Sequence, residues 1–105
     1  MEYRVVITSN AEEDLDSFID YLVNEKGSIQ AAKNVIEDFA DTVHCLATVA
    51  NNLKLCDDPR LKKLGYRRMN FLRHRYFMMY RIVEDKAIVD NIFHSLQDYE
   101  SHMLG

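Results

Sequence analysis

The strongest constraint on the fold is a strand–turn–strand pattern between Arg75 and His94. Side chains of a β-strand point alternately to two faces, and segment 75–83 divides into two such sets. One set is Arg75, Phe77, Met79, Arg81 and Val83, and the other is Tyr76, Met78, Tyr80 and Ile82. The aromatic and branched residues favour a strand. Polar residues 84–86 then predict a turn, so two strands form a hairpin.

The second strand of this hairpin shows the same alternation. Its sets are Ala87, Val89, Asn91 and Phe93 against Ile88, Asp90, Ile92 and His94. Upstream, residues 64–71 follow the break at Pro59 and predict a third strand, which completes a meander. The three strands would display Arg67, Arg68, Arg73, Arg75, Arg81 and His94.

The first half of the chain predicts a strand followed by a helical hairpin. Residues 3–7 alternate as a short strand. Ser9, followed by Glu12, has the spacing of a capping box and begins a helix that Gly27 ends. Ser28 begins the second helix, whose apolar residues recur at spacings of three and four. They are Ile29, Ala32, Ile36, Phe39, Val43, Leu46, Ala50 and Leu53.

These elements predict one α+β domain over residues 1–105: an N-terminal strand, a helical hairpin, a three-stranded antiparallel meander and a short C-terminal helix from Ser95. A chain of 105 residues that is 48% hydrophobic has enough apolar material for one core. Residues 54–63 resemble a linker between the hairpin and the meander, and we expect them to be mobile.

Charge is unevenly distributed along the chain. Residues 1–53 hold three basic and ten acidic side chains, for a net −7, whereas residues 54–105 hold ten basic and seven acidic ones, for a net +3. This asymmetry predicts that the second half faces an anionic partner. The whole-chain pI near 5.5 argues against a protein coated by nucleic acid.

Several classes of protein are disfavoured by missing motifs. The apolar run near the N terminus is too short for a signal peptide, and no run reaches membrane-spanning length, so we expect a cytoplasmic protein without a membrane partner. Cys45 and Cys56 lack metal-ligand spacing, and His44 beside Cys45 on a helix faces another direction. We therefore predict no metal site and no cofactor.

Three segments of the second half, GYRRM, HRYFMMYRI and IFHSLQDYE, together with the order of elements, resemble the RelE/ParE superfamily. This superfamily contains the toxins of bacterial type II toxin-antitoxin pairs. The resemblance implies a cognate antitoxin as partner, a hetero-oligomer with it, and one of two activities. RelE-like members cut mRNA on the ribosome, whereas ParE-like members bind and poison DNA gyrase.

RNA cleavage without a metal needs a general base, a general acid and cations around the phosphate. The resemblance implies His94 as base or acid, Arg68 and Arg81 as phosphate-stabilising cations, and Tyr99 as a late stacking or proton-transfer residue. Arg67 would replace Arg68 if the register slips by one. Further substrate contacts are expected from Arg67, Lys62, Lys63 and Arg75.

The alternative interpretation needs no catalyst. His94 can be a hydrogen-bonded residue at a strand end, and arginines on a strand can be solvated or paired with acids such as Glu84 and Asp90. The net negative charge also departs from strongly basic nucleases. Because His94 is present, we predict mRNA cleavage ahead of gyrase inhibition, with gyrase inhibition as the alternative.

Overall fold

A computed structural model describes residues 2–104, so the two end positions of the predicted domain lie outside the described residues. The strands are β1 (Arg4–Ile7), β2 (Arg67–Asn70), β3 (Tyr76–Val83) and β4 (Lys86–His94). The helices are α1 (Ser9–Asp20), continued by a π-helical turn (Tyr21–Glu25), α2 (Ile29–Val49), α3 (Pro59–Lys63) and α4 (Tyr99–Leu104). This order confirms the predicted α+β class.

The four strands form one sheet in the order β1-β4-β3-β2. The predicted meander is confirmed, because β2, β3 and β4 pair antiparallel in sequence. Strand β1 joins the sheet parallel to β4, from Arg4 opposite Lys86 to Ile7 opposite Val89. The long helical connection that a parallel pair requires is partly supplied by the α1–α2 hairpin.

Each face of the sheet carries its own apolar cluster. The face that we call the hairpin face is covered by α1 and α2, and its cluster includes Ala11, Val35, Leu46, Met78, Tyr80, Ala87, Val89 and Ile92. The opposite face, the short-helix face, is covered by α3 and α4, and its cluster is Cys56, Leu61, Phe77, Met79 and Phe93. The alternation predicted for β3 is therefore confirmed.

The helical hairpin forms as predicted, with one change at its start. Thr8, not Ser9, is the N-cap of α1, and its side chain accepts a hydrogen bond from the Ala11 amide at 3.2 Å. Thr8 is extended and its amide still bonds to Val89, so the chain turns into the helix only after it. Ser28 caps α2 as predicted, after Gly27 adopts a left-handed φ of 64°.

A β-bulge in β4 contradicts the simple alternation predicted for that strand. Met79 pairs with Asn91 and Tyr80 with Val89, so Asp90 is an extra residue. After the bulge, Ile92 lies on the hairpin face, the face that Val89 occupies before it. Every side chain beyond Asp90 is thus on the opposite face from the one that strict alternation gives.

The bulge is supported by polar groups from the start of α1. Asp14 Oδ2 accepts hydrogen bonds from the Ile92 amide at 2.9 Å and from Asn91 Nδ2 at 3.1 Å. The Thr8 hydroxyl donates to the Asp90 carbonyl at 3.1 Å. The bonds to the Ile92 amide and the Asp90 carbonyl satisfy main-chain groups at the irregular point of the ladder.

Two segments differ from their predictions because of local caps. Segment 54–63 contains helix α3, which has Asp58 as N-cap, Pro59 in its first turn and a fully buried Leu61, so it is not a structureless linker. The C-terminal helix begins at Tyr99 instead of Ser95, because Asp98 accepts from the Ser101 amide and acts as its cap.

The buried stripe of α2 also differs from the predicted one. Ile29 and Ile36 are 63% and 47% exposed. The buried positions of the helix are instead Ala32, Val35, Asp38, Thr42 and Leu46. Two of these five residues are polar, and both contact the loop between β2 and β3.

Candidate functional site

The structure divides the predicted catalytic residues between the two faces of the sheet. Arg68 lies over Phe77, a residue of the short-helix cluster. Tyr99 packs against the same cluster. His94 pairs with Tyr76 across the β3–β4 ladder, and the two rings meet edge to face at 5.3 Å. Tyr76 packs on the hairpin-face cluster, so His94 is on the other side of the sheet from Arg68 and Tyr99.

Arg68 and Tyr99 are brought together on the short-helix face. The Arg68 guanidinium carbon is 3.7 Å from the centroid of the Phe77 ring and 5.8 Å from that of Tyr99. Its Nε donates to Asn70 Oδ1 at 2.9 Å. Stacking on an aromatic ring holds the guanidinium plane but leaves its other N–H groups available to an anion.

The groove beside Arg68 has a volume of about 530 Å³. Lys54, Cys56, Asn70 and Tyr99 line it together with Arg68. Burial raises the pKa of the Tyr99 hydroxyl, as do Glu100 and Cys56, although Arg68 opposes the effect. Burial likewise raises the pKa of the Cys56 thiol, so the groove contains two cations, Lys54 and Arg68, beside a phenol and a thiol whose pKa values are raised.

Arg81 is already paired. Its Nε donates to Asp90 Oδ2 at 2.7 Å, and the Tyr66 hydroxyl donates to the same oxygen at 2.8 Å. The hydrogen bond to Asp90 raises the pKa of Arg81, and burial and Asp90 together raise the pKa of Tyr66. This pair neutralises the charge that a phosphate would need from Arg81.

The polar atoms of His94 take part in the turn that follows β4. Its amide donates to Gln97 Oε1 at 2.7 Å, and its Nδ1 accepts from the Leu96 amide at 3.2 Å. Its ring meets the Tyr76 ring edge to face. These contacts are those of a strand-end residue that fixes the next turn.

The predicted substrate-binding residues are also dispersed. The Arg67 guanidinium donates to the carbonyls of Leu53 and Asn51, which ties the segment after α2 to strand β2. Lys62 and Lys63 are exposed on α3, and Arg75 is exposed in the loop before β3. Among residues 2–104, no group of three or more His, Cys, Asp or Glu side chains is placed to hold a metal ion.

Asp38, the residue whose side chain makes the most hydrogen bonds, was not among the predicted site residues. It is fully buried on α2, and its carboxylate accepts hydrogen bonds from the amides of Leu72, Arg73 and His74 at 2.8–3.2 Å. His74 Nδ1 lies 2.6 Å from Oδ2. Burial alone would raise the pKa of Asp38, but the bonds from His74 and from the amides of Arg73 and His74 outweigh it and lower the pKa.

A signal for this residue was present in the sequence. Val35, Asp38, Thr42 and Leu46 follow the three–four spacing of one helix face. An acid on an apolar stripe must be paired or hydrogen-bonded if that face is buried. Its partners, three amides of a loop more than thirty residues later in the chain, could not be read from the spacing.

The strand, helical hairpin, meander and C-terminal helix stand in the order expected from the resemblance to the RelE/ParE superfamily. The family described as the ParE toxin of type II toxin-antitoxin systems matches residues 5–99. The chain therefore belongs to the ParE toxin family, and it is the toxin component of a type II system.

Two solved structures share the fold. The chromosomal ParDE toxin-antitoxin system from P. aeruginosa has a chain that superposes with a TM-score of 0.69 at 22% identity, covering 89% of this chain and 96% of that one. The RelBE2 toxin-antitoxin complex from Mycobacterium tuberculosis gives 0.57 at 19% identity, covering 90% and 99%. No curated protein matches the sequence. No helix within residues 2–104 is both long and apolar enough to cross a bilayer.

Proposed function

We propose that this toxin stops growth by binding a protein target, DNA gyrase, and not by cutting mRNA. The observation that carries the proposal is the placement of His94 on the hairpin face, away from Arg68 and Tyr99 on the short-helix face. Membership of the ParE toxin family supports the same target, because the ParE-like branch is the gyrase-binding one.

A general base and the cation that assists it must reach the same phosphate. A base must lie within about 3 Å of the proton that it takes, or act through one water. The cation that stabilises the phosphate must contact the same group in the transition state. His94 and Arg68 point away from opposite faces of one sheet, so the two side chains do not flank a common phosphate.

Messenger RNA cleavage is the competing function, and one observation favours it. Arg68, Tyr99 and Lys54 share a groove large enough for part of a nucleotide. Arg81 is on the same face, although Asp90 occupies it. A nuclease built from this groove would work without His94, so His94→Ala does not distinguish the two functions, whereas the target that is inhibited does.

The test measures both activities on one protein. Purified toxin is added to a gyrase supercoiling assay and to a coupled translation reaction whose mRNA ends are mapped by primer extension. We expect inhibition of supercoiling, no new mRNA ends, and unchanged inhibition by His94→Ala. Ribosome-dependent cleavage that Arg68→Ala abolishes, with supercoiling intact, would replace this proposal by the nuclease one.

We propose further that the cognate antitoxin covers Arg68, Arg81 and His94. Because these residues lie on two faces, the antitoxin must pass around an edge of the sheet. Strand β2 is an edge strand of the sheet. Apart from β3, the described residues pair with it through one isolated bridge, between Leu55 and Arg67. Edge strands can pair with an added strand from a partner. Undiminished antitoxin affinity of an Arg68→Glu, Arg81→Glu variant would contradict this placement.

A further inference from the structure

The loop between β2 and β3, residues 71–75, exposes apolar and basic side chains together. Leu72 is 49% exposed and is followed by Arg73 and, two residues on, by Arg75. The loop lines a groove of about 310 Å³, to which Arg68 and Ser95 also contribute. The segment after β4 meets it there, because the Ser95 amide donates to the Arg75 carbonyl at 2.9 Å.

The buried Asp38 carboxylate holds this loop in one conformation. Three consecutive amides of the loop donate to it, and the Phe71 amide donates to the Tyr76 carbonyl at 2.8 Å. A surface loop that needed no defined shape would leave these amides to water. Fixing a loop before binding lowers the entropy lost when a partner docks, which strengthens binding.

The charges of the loop are only partly balanced. Arg73 pairs with Asp41 at 2.8 Å, and His74 pairs with Asp38. Within residues 2–104, neither Arg68 nor Arg75 has a carboxylate within 4.0 Å. Two guanidinium groups without acidic partners thus flank the groove, on a chain whose other half is strongly acidic.

We propose that Arg68, Leu72, Arg75 and Leu96 form a docking surface for an acidic protein segment that carries an apolar side chain. The two arginines without acidic partners are complementary in charge to the carboxylates of a partner. The leucines, exposed by 49% at Leu72 and 83% at Leu96, have no role against a phosphate backbone, so they favour a protein over a nucleic acid. Arginine is enriched among the residues that contribute most of the binding energy in protein interfaces.

This inference rests on the proposed function, and it names the toxin surface that contacts the target. The experiment compares Leu72→Gln/Arg75→Glu with a matched control, Ile36→Gln/Lys33→Glu. The control removes an exposed branched residue and reverses a positive charge on α2, at 47% exposure for Ile36. Thermal unfolding by circular dichroism checks that both variants fold, since all four side chains are outside the buried cores.

Two measurements distinguish an incorrect docking surface from an incorrect target protein. The first is the concentration for half-inhibition of gyrase supercoiling and the second is the inducer level that arrests bacterial growth, at toxin amounts equalised by immunoblot. We expect the loop variant to need at least about tenfold more protein in both, and the control to match the wild type. If the loop substitutions weaken growth arrest but do not change gyrase inhibition, the surface is supported and gyrase is the wrong target.

The single substitutions distinguish the kinds of partner. Leu72→Gln and Arg75→Glu should each weaken inhibition. Loss with Arg75→Glu alone, and none with Leu72→Gln, points to a phosphate backbone and overturns the proposal. Three other outcomes also overturn the proposal. They are an equal loss of inhibition in the α2 control, wild-type inhibition by the loop variant, and a wild-type chain that neither arrests growth nor inhibits gyrase.

Discussion

Removing the Asp38 carboxylate should be one of the most destabilising single changes on α2. Asp38→Ala deletes the acceptor of the Arg73 and His74 amides and the partner of the His74 ring. The Leu72 amide keeps a partner, because the Thr42 hydroxyl also accepts from it at 3.2 Å. The change therefore leaves two amides and one imidazole without their acceptor.

The magnitude follows from the burial of the carboxylate. Leaving a buried hydrogen-bond donor without its acceptor costs about 1–3 kcal/mol for each group. Asp38 is 0% exposed, and its removal leaves the Arg73 and His74 amides without their acceptor. At about 1.5 kcal/mol for each amide the loss is about 3 kcal/mol. In a domain of this size each kcal/mol lowers the melting temperature by roughly 4 °C, so the expected decrease is about 12 °C. Asp38→Asn, which keeps the shape and one acceptor oxygen, should lose less.

The assay is urea unfolding at pH 7, followed by circular dichroism. The matched control is Asp41→Ala, three residues further along the same helix, with the same change in charge. Asp41 pairs with Arg73 at the surface, where its side chain is 58% exposed, so its loss should cost about 0–1 kcal/mol. If the two variants lose the same free energy of unfolding, the argument for the Asp38 cluster is wrong.

Four further predictions concern ionisable groups that are buried or partly buried. The lowered pKa of Asp38 adds stability that is complete above its unfolded pKa of about 3.9 and is lost as pH falls through the folded pKa. The free-energy difference between wild type and Asp38→Asn should therefore shrink below about pH 4. Burial raises the pKa of Tyr80 to about 12, and since an unfolded tyrosine ionises near 10, stability should fall as pH rises above about 10. Tyr80→Phe, which leaves the Ala50 carbonyl without its 2.6 Å bond, should cost about 1–3 kcal/mol and remove the tyrosine that ionises last in an ultraviolet titration. Arg81→Gln should cost about 1–2 kcal/mol by leaving Asp90 without its cation; a variant with native stability and lost toxicity would show that Arg81 acts on the target instead.

Much of the fold followed from local patterns. The period of two in β3, the spacing of three and four in the helices, and the caps around Gly27 and Ser28 are short-range signals, and each predicted element exists. The segments that resemble the RelE/ParE superfamily lie in the same part of the chain, and the family match covers them. Helix α3 was missed because a five-residue helix has no measurable period, although Asp58 and Pro59 carry its start signal.

The candidate site depended on information that no local pattern contains. One extra residue at Asp90 moves His94 to the other face of the sheet, because a strand alternates with a period of two and any insertion inverts it. The bulge is stabilised by Asp14, which is far away in the sequence. Asp90 was one of two acids expected to pair with strand arginines, but only the structure shows that Arg81 is its partner.

The sequence by itself therefore determined which elements form, the superfamily they resemble and the difference in net charge between the two halves of the chain. Those properties depend on residue types at short separations. Only the tertiary structure decided which cations share a surface, which are neutralised, and that a buried aspartate on α2 shapes a loop more than thirty residues away. These depend on registers and long-range hydrogen bonds, which are fixed when the helices pack on the sheet.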